Sequence, residues 1–274
     1  MNNPPDRPNR PNRPVSPITP DPWTRLRTLT AARIALGRSG VSLPTNEVLR
    51  FGLAHAQARD AVHQPLDVAA LQAALVGHGF KPSVVTSRAP DRVSYLRRPD
   101  WGRRLAEDSA RDLQERRPAK APRIAFVVSD GLSSRATQNN SLPLLLALAA
   151  YIPELRVCPV VIATQARVAL GDEIGEILGA ELVVVLIGER PGLSSPDSLG
   201  VYMTGAPRVG LTDATRNCIS NVRPEGLSFA EAARKLAFLI AGARALGCTG
   251  VDLKDDSDDR LPDERPPAML LAVE

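Results

Sequence analysis

The densest grouping of reactive side chains is Arg216-Asn217-Cys218-Ile219-Ser220-Asn221, which sets an arginine, two asparagines, a serine and a cysteine within six residues. Two other short polar stretches follow apolar runs, Ser129-Asp130-Gly131-Leu132-Ser133-Ser134 and Gly188-Glu189-Arg190-Pro191-Gly192-Leu193. In open α/β sheets, ligands bind at loops beyond the carboxyl ends of the strands. Each stretch also fits a plainer role. Glu189 beside Arg190 reads equally as an ion pair closing a turn, and Asp130-Gly131 as turn chemistry. Cys218 next to Ile219 reads as a small buried residue as readily as a nucleophile. His55, His63 and His78 are all far from it in the chain.

Standard catalytic signatures are missing. The chain has no G-x-G-x-x-G, no G-x-S-x-G elbow, no H-E-x-x-H and no cluster of His and Cys with metal-ligand spacing. Ser39-Gly40-Val41-Ser42 has the look of a phosphate loop but lacks the lysine and the preceding strand that such a loop requires. A platform without its own catalytic constellation suggests a subunit that holds something for a partner.

The elements that must position these loops change character once along the chain. From 21 to 118 the periodicity predicts helices. Asp21-Pro22 opens the first, which stops at Gly37. Thr45-Asn46-Glu47 starts a second, running to about Ala61. Asp67 caps a third, which ends at Gly77 and Gly79. Asp100 precedes a fourth, in which Trp101, Leu105 and Leu113 share a face. From 119 the grammar becomes strand, helix, strand, helix, strand. The runs Arg123–Val128, Val157–Ala163 and Leu182–Ile187 are apolar at consecutive positions, as strands buried on both faces are. Helices are expected at Leu142–Tyr151 and at 171–179. Ser228-Phe229-Ala230-Glu231 is a capping box opening a helix that stops at Gly247, and a short strand is expected around Gly250–Leu253.

These signals predict an α/β protein, with a helical N-terminal subdomain (21–118) followed by a Rossmann-like, doubly wound parallel sheet (119–254). Residues 1–20, with eight prolines in the first 22 residues, and residues 255–274, rich in Asp and Glu, read as flexible tails.

Composition narrows the function classes. Of 274 residues, 43% are apolar and 23% charged, the balance of a chain with a proper core. No apolar run approaches the roughly 18 residues of a membrane span, and the Pro/Arg-rich start does not read as a secretory signal. Three widely spaced cysteines exclude a disulfide framework and point to an intracellular protein. The net charge of +4 and only ten aromatic residues argue against nucleic acid.

The segments SDGLSS (129–134), LGDEIGEILGAELVVVLIGERPGLSSPDSL (170–199) and RNCISNVRPEGL (216–227) resemble the small, or light, subunit of ethanolamine ammonia-lyase. YLRRPDWGRRL (95–105) and GRSGVSLPT (37–45) resemble it too, and the likeness runs from about 21 to 254. It implies an adenosylcobalamin enzyme that converts ethanolamine to acetaldehyde and ammonia by a radical route. The large subunit, a TIM barrel, would supply the catalytic groups, and the small subunit would cover one side of the corrin. It implies cofactor contacts at Val168 (in ARVALGDE), Glu189 (in GERPG) and Cys218 (in RNCIS), with no catalytic or metal-ligating residue on this chain. The family's cobalamin keeps its own dimethylbenzimidazole on cobalt, which agrees with the absence here of D-x-H-x-x-G. It further implies a hetero-oligomer of six large and six small subunits, in a bacterial microcompartment or free in the cytoplasm. Two alternatives stand beside it: a stand-alone α/β enzyme with an atypical nucleotide or methyl-donor site, and a scaffold subunit that touches no cofactor.

Overall fold

The computed structural model describes residues 16–259. Residues 1–15 and 260–274, where most of both expected tails falls, lie outside the described part. Two units separate, one up to Ala56 and one from Gln57 onward.

The first unit begins with a 3-10 turn, Thr24–Thr28. The long helix expected between Asp21 and Gly37 is confined to that turn. Helix α1 (Thr45–His63) starts in this unit, where the Thr-Asn-Glu signal placed it.

The second unit contains the sheet. Its helices are α2 (Val68–Gly77), α3 (Arg92–Arg97), α4 (Glu107–Glu115), α5 (Ser134–Leu148), α6 (Leu170–Leu178) and α7 (Phe229–Leu246). Its strands are β1 (Pro82–Thr86), β2 (Ile124–Ser129), β3 (Val160–Thr164), β4 (Leu182–Gly188), β5 (Leu199–Gly205) and β6 (Arg216–Val222). Side-chain caps fix four of the helices: Asp67 accepts from the Ala70 amide at α2, Asp91 from Ser94 at α3, Ser133 from Ala136 at α5 and Ser228 from Glu231 at α7. Helix α7 stops at Gly247, as expected.

The sheet order is β1-β3-β2-β4-β5-β6. The first four strands are parallel, while β5 and β6 are antiparallel. This corrects the expectation of a parallel sheet: the fold is α/β with a mixed six-stranded sheet. The strands that break the pattern are β5 and β6, which continue the sheet past β4: β5 is buried almost throughout but its apolar run is broken by glycine and threonine, and β6 has exposed polar positions between its buried ones. In β6, Ile219 and Val222 join the core on one face while Cys218 and Ser220 are exposed. A strand of that texture reads as a polar loop, and Arg216–Asn221 was expected to be one.

One strand falls within the region expected to be helical: β1 pairs with β3 over the whole length of both strands. Leu105 and Leu113 are buried in the core against the sheet, but the fourth helix expected after Asp100 is divided into a 3-10 turn at Trp101–Arg103 and α4, and α3 precedes both. Gly250–Asp252 is a 3-10 turn, where a strand was expected.

Two apolar clusters sandwich the sheet. On one face Leu71 and Leu75 of α2, Leu144, Leu145 and Leu148 of α5 and Leu236 and Ile240 of α7 meet Phe126, Val184, Val201 and Ile219. On the other, Leu113 of α4 and Ile174 and Leu178 of α6 meet Val127, Val161, Val185 and Ile187. Alternate residues of each strand thus serve opposite layers. Among the described residues no helix is long and apolar enough to cross a membrane.

Candidate functional site

The parallel strands deliver their carboxyl ends to one rim. Ser129-Asp130 ends β2, Gln165 follows β3, and Glu189 follows β4. The β2 and β4 loops approach so closely that a Cβ on Gly188 would lie 2.0 Å from the Ser133 carbonyl oxygen, so only glycine fits.

Glu189 is held firmly. Its amide donates to the Ser198 carbonyl (2.9 Å), which turns its side chain back over the antiparallel strands. There its carboxylate accepts from Ser220 Oγ (2.6 Å), from Ser198 Oγ and from the Asn221 amide (3.3 Å). Gly200 provides the room, since a Cβ there would come within 3.0 Å of Glu189 Cγ and Oε1. Asn221 sits at φ +61, next to the irregularity in the β5–β6 pairing, and this aims its amide at Glu189.

Cys218 lies directly opposite Tyr202 across the antiparallel pair. The thiol and the phenol influence each other's ionisation. Desolvation of Sγ, with a further push from the negative Glu189, holds the Cys218 thiol above its ordinary value, and Tyr202 opposes this only in part. Burial likewise raises Tyr202, helped by Cys218 and Glu189. Both groups are therefore neutral at physiological pH. That is the opposite of what a nucleophilic cysteine needs, although the residue as a whole is exposed.

Val168 occupies the loop between β3 and α6. It packs against the same apolar cluster as Tyr202, on the α6 side of the sheet. Several contacts build this loop. The buried Asp130 carboxylate accepts from the amides of Gln165 (2.8 Å) and Ala166 (3.1 Å), stabilising Gln165 at φ +54. Tyr95 donates to the Ala166 carbonyl (3.1 Å), and the guanidinium groups of Arg167 and Arg92 lie 4.2 and 4.7 Å from its ring centre. Arg92 also donates to the Gly131 carbonyl (2.8 Å) and faces Asp130 at 3.6 Å. The Val168 carbonyl then accepts from Gly171 in the first turn of α6 (3.0 Å).

One buried ion pair ties α6 to β6. Arg216 grips Asp172 with two bonds, Nη1 to Oδ1 at 2.5 Å and Nη2 to Oδ2 at 2.8 Å, and Thr204 Oγ1 accepts from Nη1 at 3.1 Å. Both side chains are almost fully enclosed, at 2% and 1% exposure. Burial pushes the Asp172 carboxyl above its ordinary value against the pull of Arg216.

Glu189, Cys218 and Val168 thus lie on the α6 side of the sheet, with Gly200, Tyr202 and Ser220 next to Glu189 and Cys218. The chemistry available is recognition: a fixed carboxylate to accept from amide N–H groups, a neutral thiol, and an apolar margin. Among the described residues, no group of three or more His, Cys, Asp or Glu is placed to hold a metal ion. The sequence left Asp130 open between a ligand loop and turn chemistry and did not single out Ser198, Gly200, Tyr202 or Asp172. The alternation Gly200-Tyr202-Thr204 against Val201-Met203 was the available signal for the last strands.

The family profile described as the ethanolamine ammonia-lyase light chain (EutC) matches residues 20–254. An ethanolamine ammonia-lyase small subunit of Azotobacter vinelandii is 55% identical over 242 residues, covering 87% of this chain and 90% of that protein. One of Ralstonia nicotianae is 54% identical over 242 residues, covering 87% and 90%. One of Pseudomonas fluorescens (strain SBW25) is 50% identical over 254 residues, covering 91% and 92%. A profile match across nearly the whole described chain, with relatives at half identity or more over most of both lengths, places this chain in the ethanolamine ammonia-lyase small-subunit family.

Proposed function

We propose that this chain is the small subunit of an adenosylcobalamin-dependent ethanolamine ammonia-lyase, and that this side of its sheet forms one wall of the cobalamin site, closed by the large subunit. The observation that carries the reading is that Glu189, Cys218 and Val168 all lie on the α6 side of the sheet, Glu189 and Cys218 close together where Gly200 leaves room. The residues present fit such a group. A corrin is a broad, nearly planar ring edged with carboxamides, and it needs a flat surface, acceptors at its margin and no competing thiolate.

Each residue has a distinct part. Glu189, already held by Ser220, Ser198 and Asn221, accepts from a side-chain amide without first being ordered, which saves conformational entropy on binding. Cys218 offers a small neutral surface. Val168 supplies an apolar edge and, with the loop that Asp130 braces, keeps water from that margin. When bound, the cofactor supplies radical chemistry by homolysis of its cobalt–carbon bond. This chain's task is then to bind, orient and exclude solvent, and ethanolamine would be turned over on the large subunit. The assembly that follows is a hetero-oligomer within the cell, with six copies of each chain as the family arrangement.

The test is Glu189→Ala in the complex with the large subunit. Cobalamin retained after gel filtration should fall about tenfold or more, with assembly unchanged. Unchanged retention would make Glu189 a structural residue. A loss of assembly instead would favour the scaffold reading.

A further inference from the structure

Of the eighteen large apolar side chains exposed among the described residues, eleven fall between Ile18 and Leu53. Several stand almost free of the protein, with Val41 at 105%, Leu29 at 81%, Leu49 at 68%, Trp23 at 67% and Leu53 at 59% exposure. The inside of this first unit is the reverse of a core. Between residues 16 and 56 only Pro44, Glu47 and Ala54 are buried, and Glu47 is held by Arg27 and Arg50, each at 3.1 Å. A segment that encloses a carboxylate and presents leucine, valine and tryptophan to solvent has the polarity of an interface. Helices draw most of their stability from packing an apolar face, and the first turns of α1 leave Val48, Leu49 and Leu53 unpacked.

Charge selects the kind of partner. From Asp21 to Leu53 the chain carries five arginines against two acidic residues, Asp21 and Glu47. A two-fold pairing of this surface with a second copy would set those arginines against each other. A different chain, offering an apolar groove with an acidic margin, meets both requirements.

We propose that Ile18–Leu53 docks on the large subunit and is a principal anchor between the two chains. This rests on the small-subunit reading above. Glu189 is not part of this segment, so anchoring and cofactor retention are tested on different residues.

The experiment titrates the full-length chain into purified large subunit without cobalamin, by calorimetry, using wild type, Leu49→Asp, Leu53→Asp and the control Val157→Asp. All three positions are exposed, so the isolated variants should melt as the wild type does. Leu49→Asp and Leu53→Asp should each weaken binding by about thirtyfold or more, while Val157→Asp leaves it unchanged. Binding by wild type should weaken as salt rises. Wild-type affinity in both arm variants would overturn the proposal and leave the small-subunit reading standing. Failure of every form to bind the large subunit would defeat that reading itself. Sedimentation of the chain alone gives the remaining outcome: a wild-type dimer abolished by Leu49→Asp would name a second copy as the occupant and overturn the assignment.

Discussion

Removing Arg216 should unfold more of the protein than its place near an edge strand suggests. The guanidinium is 2% exposed and the Asp172 carboxylate 1% exposed, so Arg216→Ala leaves a buried charge with no counter-ion. Breaking one partner of such a pair costs about 3–5 kcal/mol. Against a domain stability of roughly 5–15 kcal/mol this is a large fraction. For a unit of about this size each kcal/mol lowers the melting temperature by about 2–4 °C, so the expected drop is about 6–20 °C. Asp172→Asn should cost less, because the arginine left behind keeps a second carboxylate, Asp213 at 3.2 Å, and the amide oxygen can still accept from it. The double replacement Arg216→Met with Asp172→Leu separates pairing from burial. Burial already pushes Asp172 upward, which marks the desolvation cost as heavy, so this apolar pair should recover most of the loss. Thermal melts by circular dichroism and urea midpoints measure all of these. A drop under about 2 °C for Arg216→Ala, or a double variant no better than that single one, would refute the reasoning.

Other consequences follow from the same geometry. Ser220→Ala removes the 2.6 Å bond to Glu189 from an exposed strand face; it should lower cobalamin affinity in the complex about 3–10-fold with an unchanged melting temperature. Gly188→Ala would place a Cβ 2.0 Å from the Ser133 carbonyl oxygen, and should cost about 3 kcal/mol or more, visible as insoluble or early-melting protein. Burial raises the Tyr95 phenol from 10.0 to about 12. Its contribution to stability is complete below pH 10 and is lost as pH rises toward 12, by on the order of 3 kcal/mol. Tyr95→Phe, although less stable at neutral pH for want of the bond to the Ala166 carbonyl, should show a shallower decline across that window. An identical slope in the two proteins would rule out this source of alkaline lability.

How much of this was legible in the sequence depends on how each element is buried. β2 and β4 carry consecutive apolar residues because both faces are covered, and their pattern stands out. Helices α2 and α7 announce themselves through Asp67 and Ser228, whose side chains satisfy end amides. β5 and β6 were hidden because glycines and polar residues interrupt their apolar positions, and Arg216 read as one donor of a polar loop because its partner Asp172 is 44 residues earlier in the chain. Asp130 looked like a turn residue for the same reason, since the amides it accepts from are 35 and 36 residues away. The first helix failed to extend because almost nothing between Trp23 and Leu36 is buried within this chain. Local pattern reports local burial; it does not report a partner in another element or another polypeptide.

The most direct test of the account is the absorbance spectrum of the purified chain, alone and with the large subunit, after adenosylcobalamin is added and excess removed. Corrin absorption and ethanolamine-dependent ammonia release in the two-chain complex, with neither in the isolated small subunit, is the predicted result. Turnover by this chain alone, or a large subunit that retains the cofactor equally well without it, would contradict the account.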